Sequence, residues 1–511
     1  MSFFTNSARL IFCPRLRQME RFDQRIDELQ QQQFHYLLQT ASRTVWGQHY
    51  DFAHIKDYST FSQRVPLQVY DDLRPYIHRM INGESDILWP GITRWFAKSS
   101  GTTSDKSKFI PVTNDILRKC HYQGPKDLVA FYLRNYPASR MFEGKGLILG
   151  GSHSPSPINQ RAHQGDLSAV LLQNLNPFVE LFRVPRKQII LMNEWESKLQ
   201  AIVKATCHAH VTNLSGVPSW MLTLIKAILA YTGKQTLTEV WPDLEVFIHG
   251  GISFEPYRSC YKQLIPSPNM HYMESYNASE GFFGIQDDPD DPALLLMPDY
   301  GVFYEFVPLE ELETPHPQAV PLEGVEIGRN YAMVISTPGG LWRYLIGDTV
   351  RFTSLRPPKL LITGRTKHYI NAFGEELMVG NAEKALAMTC QETGAIVREY
   401  TAAPLFQLSG KAEGCHQWLI EFEKAPADLA DFAQRLDQHL QQVNSDYEAK
   451  RYKEISLAPL QIVVARKDLF YDWMKQKGKL GGQHKVPRLS NNRTLLEALI
   501  ALNQSPSASK R

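Results

Sequence analysis

From about residue 145 to 365 the chain is punctuated by short apolar runs that each stop at a glycine or a small polar residue. They are Leu147-Ile148-Leu149-Gly150-Gly151, Val246-Phe247-Ile248-His249-Gly250-Gly251, Tyr331-Ala332-Met333-Val334-Ile335-Ser336 and Leu360-Leu361-Ile362-Thr363-Gly364. Runs this short and this uniformly apolar predict strands buried on both faces rather than helices. Between the first two lie helix-compatible stretches, notably Ser219 to Tyr231. The alternation predicts an α/β body whose β-sheet is flanked by helices, and ligands in such bodies sit where strands end. A chain of 511 residues, at roughly 150 per domain, has room for a large unit of this kind and a smaller one.

The flanking regions read as follows. Phe22, Ile26, Leu29 and Leu37 fall at helical spacing and predict an amphipathic helix over 20–41, with Gln30 to Gln33 on its solvated face. Asp287-Asp288-Pro289-Asp290-Asp291-Pro292 reads as a surface turn; it lacks the Gly and distal Glu of an EF-hand loop. Beyond Arg365, a strand at Trp418–Phe422 and an amphipathic helix from Leu429 to Val443 are enough for a small second domain, with Asn503 to Arg511 as a frayed tail.

Charge narrows the partners. Lys+Arg 55 against Asp+Glu 53 leaves a formal +2, which gives no reason to expect nucleic acid or an anionic membrane, and points to small molecules instead. Six cysteines are scattered without a C-x-x-C pair, which argues against a zinc ribbon or a disulfide framework and fits a reducing compartment. The apolar run Leu10 to Cys13 before Pro14 is too short for a signal-peptide core, and no stretch approaches the roughly 20 apolar residues of a membrane span. The expectation is a cytoplasmic protein.

Three segments carry chemistry. In Phe96-Ala97-Lys98-Ser99-Ser100-Gly101-Thr102-Thr103-Ser104-Asp105-Lys106-Ser107-Lys108, four hydroxyl residues surround a glycine and two lysines follow. Such a loop can aim hydroxyls and backbone N–H groups at phosphate oxygens, with a lysine supplying charge; it does not match the Walker pattern. In Tyr276-Asn277-Ala278-Ser279-Glu280, an aromatic ring that could stack on a base stands four residues before a carboxylate suited to Mg²⁺. In Tyr344-Leu345-Ile346-Gly347-Asp348-Thr349-Val350, an Asp after Gly at a turn can accept both hydroxyls of a ribose. Each has a bland counterpart: a polar surface loop, an ordinary carboxylate, a hairpin turn.

In this order and spacing the three together resemble the adenylate-forming superfamily and, within it, the GH3 family of acyl acid amido synthetases. Ser99-Ser100-Gly101-Thr102-Thr103 is similar to the phosphate loop, Tyr276 to Glu280 to the Tyr-x-x-Ser-Glu motif, and Tyr344 to Val350 to the Gly-Asp-x-Val motif. Gly482-Gln483-His484-Lys485-Val486-Pro487-Arg488 is similar to the Gln-x-Lys-x-Pro-Arg segment. The resemblance extends to Val65-Pro66-Leu67 and Tyr70-Asp71-Asp72 and so covers nearly the whole chain. Asp105 stands where many adenylate-forming enzymes have glycine, and Lys479 precedes Lys485 in a Lys-Gly-Lys setting, so two lysines compete for the phosphates; Lys485 has the better flanking match.

The resemblance implies ATP and Mg²⁺ as cofactors, with a carboxylic acid and an amino acid as substrates. It implies a large N-terminal adenylate-forming domain, 1–365, and a smaller mobile α+β C-terminal domain, 366–511, hinged near Gly364-Arg365. Implied nucleotide contacts are Ser99, Ser100, Gly101, Thr102, Thr103, Lys108, Tyr276, Ser279, Asp348 and Arg365. Glu280 would hold the metal and act with Lys485 in catalysis. Leu214 to Trp220 is similar to a GH3 stretch close to the acyl site, where Trp220 would either wall the pocket or pack as core. His208 and His210 lack identifiable partner ligands and read as structural. An acyl-CoA or aryl-CoA ligase is the nearest rival, and a non-catalytic adenylate-binding protein the more distant one.

Overall fold

The structure is a computed structural model that describes residues 3–99, 108–151, 156–175, 177–251, 254–312, 314–366, 369–370, 372–373, 375, 377–406, 414–451, 457–478 and 485–504. The chain divides into two compact units, one of Met1–Ile252, Leu264–Ile362 and Gly481–Gln483, the other of Ser253–Gln263, Thr363–Leu480 and His484–Arg511.

A twelve-stranded sheet dominates the first unit. Its parallel part runs Arg183–Val184, Lys145–Ile148, Val211–Gly216, Val246–Gly250 and His271–Ala278. It continues through Gly281–Ile285, Leu294–Leu296, Pro358–Arg365, Tyr344–Leu355, Asn330–Ser336, Phe303–Pro308 and Val320–Pro321. The change of direction comes at Ser279-Glu280, a hairpin turn closed by the pairing of Ala278 with Gly281. All four predicted strands lie in this sheet. Two stand in the parallel part, where helices such as Pro218–Thr232 make the crossovers; the Asn330 and Pro358 strands stand in the antiparallel part, where short connections suffice.

A smaller sheet, ordered Lys108–Val112, Trp95–Ser99, His163–Gly165, Ser156–Pro157, carries the hairpin that ends at Ser99 and resumes at Lys108. The core of the unit is rich in aromatics; Trp46, Trp89, Trp342, Tyr300, Tyr304 and Tyr331 are fully buried. Asp291 and Asp287, in the predicted turn, both pair with Lys359.

The predicted first helix is present as Phe22–Ala41, but its glutamines are not all solvated. Gln31 and Gln32 face solvent, whereas Gln30 is buried. Its amide donates to the carbonyls of Pro298 (2.8 Å) and Val302 (3.1 Å) and accepts the Tyr304 N–H (3.0 Å). Gln30 stands four residues from both Ile26 and Phe34, so the helical period carries it onto the inner face, where it satisfies strand-end groups that an apolar residue would leave bare.

The second unit packs Val379–Thr393 and Leu429–Val443 on a three-stranded sheet of Ile396–Phe406, Gly414–Lys424 and Gln461–Ala465. Leu386, Trp418, Phe432, Leu436 and Leu440 form its core. The Leu429 helix begins where expected because Asp428 accepts the amides of Ala430 and Asp431. The expected tail starts later than Asn503: that residue belongs to the helix Thr494–Gln504, and its side chain bonds the Val464 carbonyl and the Arg466 amide. Residues 505–511 lie outside the described residues. No helix among the described residues is long and apolar enough to cross a membrane.

Candidate active site

Because four long strands of the main sheet run parallel, their carboxyl ends emerge at one edge: Gly150-Gly151, Gly216, Gly250-Gly251 and Ser279-Glu280. That edge is the natural ligand face of an open α/β sheet. Glycine is required at two of these points. A Cβ on Gly250 would meet the Ser275 carbonyl oxygen at 2.4 Å, and Gly251 has φ +83°.

On the last of these strands Tyr276 is only 4% exposed, with Phe283 edge-on to its ring at 5.1 Å. Its hydroxyl donates to Asp348 Oδ2 at 2.7 Å. Asp348 follows Gly347, whose φ of +90° turns the strand at that point. In the sheet order three strands separate these two residues, a distance of roughly 19 Å if the sheet were flat. A direct bond therefore requires a tightly coiled sheet, with Tyr276 and Asp348 facing each other across the inside of the curl.

Four residues before Asp348, the Tyr344 hydroxyl lies 3.5 Å from Lys108 Nζ. Lys108 is directly opposite Ser99 in the antiparallel hairpin, so these two residues frame the mouth of the predicted phosphate loop. Ser100, Gly101, Thr102 and Thr103 lie outside the described residues. Tyr70 braces the same mouth: its hydroxyl accepts the Phe109 N–H at 2.8 Å, and its ring lies 5.7 Å from the Lys108 ammonium. Burial pushes the Tyr70 phenol above its ordinary range, so it acts as a neutral acceptor. Two separate contacts, Lys108 with Tyr344 and Tyr276 with Asp348, thus converge on one strand, Tyr344–Leu355.

Ser279 and Glu280 form the turn that follows Tyr276, at 5% and 6% exposure. A carboxylate held at the end of a strand, beside a serine, is a suitable oxygen donor for Mg²⁺ bound to phosphates. Trp220, the third residue of its helix, is half-buried and meets Trp195 edge-on at 4.9 Å. His210 bonds Asp243 at 2.9 Å.

Arg365 ends its strand half-buried, and Lys485 is exposed; both belong to the second unit. Lys479 and residues 482–484 lie outside the described residues.

Sequence reading missed Tyr70 and Tyr344 as supports of Lys108. Tyr344 stands within the quoted third segment, but its partner lies 236 positions away and no local pattern announces it. It also missed Lys198, a wholly buried lysine on the helix Trp195–Thr206.

Residues 15–270 match the GH3 family N-terminal domain, 295–365 its central domain and 380–494 its C-terminal domain. The chain belongs to the GH3 family. Among curated relatives of this GH3 protein, indole-3-acetic acid-amido synthetase GH3.3 of Arabidopsis thaliana is 22% identical, the match covering 95% of this chain and 93% of the relative. The 4-substituted benzoates-glutamate ligase GH3.12 of Arabidopsis thaliana is 23% identical over 87% of this chain and 89% of the relative. Among solved structures, GH3.15 acyl acid amido synthetase superposes with a TM-score of 0.77 at 19% identity, covering 95% of both chains. A 2-hydroxyisobutyryl-CoA ligase in its postadenylation state superposes at 0.60 and 13% identity, covering 95% of this chain and 92% of the other. These structural likenesses establish the adenylate-forming fold.

Proposed function

We propose that this GH3 protein is an ATP-dependent acyl acid amido synthetase. A carboxylate oxygen of the acid attacks the α-phosphorus of ATP, the bond to the bridging oxygen breaks, and acyl-AMP and pyrophosphate result. An amine, of an amino acid in this reading, then attacks the activated carbonyl; AMP departs, the amine loses a proton, and an amide remains.

The observation that carries this reading is the pair of contacts Tyr276–Asp348 and Lys108–Tyr344, which bring segments of three separate motifs onto one strand of one unit. Asp348 accepts the ribose hydroxyls, and Tyr276 acts on the nucleotide by holding that carboxylate, with adenine beside the Tyr276 strand. Ser99, Lys108 and the loop residues Ser100 to Thr103 position the β- and γ-phosphates, Ser279 supports the nucleotide next to Glu280, and Trp220 lies on the acyl side. Glu280 would hold Mg²⁺, which supplies an offset to phosphate charge. Both reactants in the first step are anions, so the cations of Lys108, Arg365 and Lys485 lower the repulsion as charge moves onto pyrophosphate. The hinge of this reading is Gly364-Arg365, just past the break between Ile362 and Thr363, and the part from 366 to 511 carries Lys485 and closes for the first half-reaction. The six free cysteines fit a cytoplasmic setting.

The test is ATP–pyrophosphate exchange with purified protein and Mg²⁺ across aryl, indolyl and fatty acids, followed by amino acids or CoA with any acid that responds. Exchange and an amide product support the proposal. A thioester with CoA and no amide moves the protein to the CoA-ligase reading, and ATP binding without exchange to the non-catalytic one.

A further inference from the structure

Lys198 has no part in the chemistry above, yet it is held at the edge where that chemistry takes place. Its side chain is fully buried, and its ammonium donates to the carbonyls of both Gly150 (3.2 Å) and Gly151. These two glycines follow the strand Lys145–Ile148, at the carboxyl edge of the parallel sheet. The Gly151 N–H donates to Ser168 Oγ at 2.7 Å, so that residue is fastened through both its amide and its carbonyl. Asp166, 3% exposed, packs directly on Gly151: a Cβ there would fall 2.0 Å from the carboxylate.

The helix bearing Lys198 reaches the next strand end as well. Trp195, one turn earlier, meets Trp220 just beyond the strand Val211–Gly216, and a Cβ on Gly216 would touch Leu149 at 3.2 Å. The turn that Lys198 grips and the Leu214 to Trp220 stretch therefore adjoin. A buried ammonium is costly, and an apolar side chain of similar length would fill the same space more cheaply. A methionine could not hold two carbonyls in fixed positions.

We propose that Lys198 is a positioning residue for acid binding: with Asp166 it fixes the Gly150-Gly151 turn against Leu214 to Trp220 and so shapes the acyl side of the site. The inference rests on the amido synthetase reading. The charges around Lys198 agree with it. Asp166 faces it from the segment before the helix Leu167–Gln173, while Glu194, on its own helix, is occupied with the amides of Glu196 and Ser197. Burial pushes the Lys198 ammonium down to about 8, with Asp166 opposing the shift, so it remains mostly charged at neutral pH.

The experiment compares wild type, Lys198→Met and Gly151→Ala in acid-dependent ATP–pyrophosphate exchange, using the acid that gives the strongest wild-type signal. Lys198→Met removes the grip, and Gly151→Ala pushes the turn off Asp166 while leaving the lysine. The expected result is an acid KM raised about tenfold in each folded variant, with the ATP KM within twofold of wild type. An acid KM within twofold, or acid and ATP KM values rising together as general loosening would give, overturns the proposal; if one variant fails to fold, the other decides. Wild-type protein silent toward every acid strikes the amido synthetase reading itself, an outcome separate from normal exchange unaffected by the substitutions.

Discussion

Replacing Tyr276 by Phe removes one oxygen atom and leaves the ring in its packed place beside Phe283. The lost interaction is a phenol donating to a carboxylate at 2.7 Å. Hydrogen bonds to charged groups contribute about 1.5–3 kcal/mol. Asp348 is only partly buried, so water can replace part of the loss and the low end applies, about 1.5 kcal/mol or roughly tenfold in affinity. If the bond holds Asp348 for the ribose, Tyr276→Phe raises the KM for ATP about tenfold in pyrophosphate exchange and leaves the acid KM within twofold. The ring's burial is unchanged, so thermal unfolding should move little. Two results refute the reasoning. An ATP KM within twofold of wild type would mean that Asp348 is oriented without Tyr276. Parallel rises in both KM values would mean that the bond braces the sheet and has no specific tie to the nucleotide.

Lys485→Ala is expected to slow acyl-AMP formation at least tenfold more than transfer from preformed acyl-AMP to amine, measured by single-turnover assays of the two steps; equal losses would remove Lys485 from the phosphates. Gln30→Leu leaves the Tyr304 amide and two carbonyls bare, at about 1 kcal/mol or more each, so the urea midpoint of the first unit should fall by the equivalent of about 3 kcal/mol, and a change under 1 kcal/mol would contradict the assigned bonds. Burial holds the His121 imidazole down to about 4, against an ordinary value of 6.5. Between those two pH values the unfolded chain binds a proton that the folded chain refuses, so stability falls as pH drops from 6.5 to 4, by up to roughly 3 kcal/mol. His121→Leu should flatten that acid limb in urea titrations, and an unchanged slope would assign it to other groups.

Strand positions could be read from the chain because a buried strand shows its character in a few consecutive residues, as at Val246 to Gly250. The helix Leu429–Val443 was equally plain from its period. The motifs around Ser99, Tyr276 and Asp348 drew attention through their residue types. Their meeting could not be read, since it depends on the coil of a sheet whose strands lie far apart in sequence. Gln30 was misplaced by residue type although its spacing from Ile26 and Phe34 pointed inward; composition was allowed to outweigh period. Lys198 shows the opposite case. Nothing around it distinguishes it from a surface lysine, and only the folded neighbours reveal two carbonyls waiting for its ammonium.

The pairing between His271–Ala278 and Gly281–Ile285 slips between Phe282 and Gly284, and that between Asn330–Ser336 and Tyr344–Leu355 slips between Ala332 and Val334. Such irregularities bend strands and increase twist; the first falls on the arc that leads from Tyr276 round to Asp348, and the second lies on the far side of the Asp348 strand. The first acts as an adjusting screw on a bow: a small change of angle there is multiplied along the arc into a displacement at its tips. Substitutions near Gly284 can therefore shift Asp348 relative to Tyr276 without replacing either residue of the proposed nucleotide site.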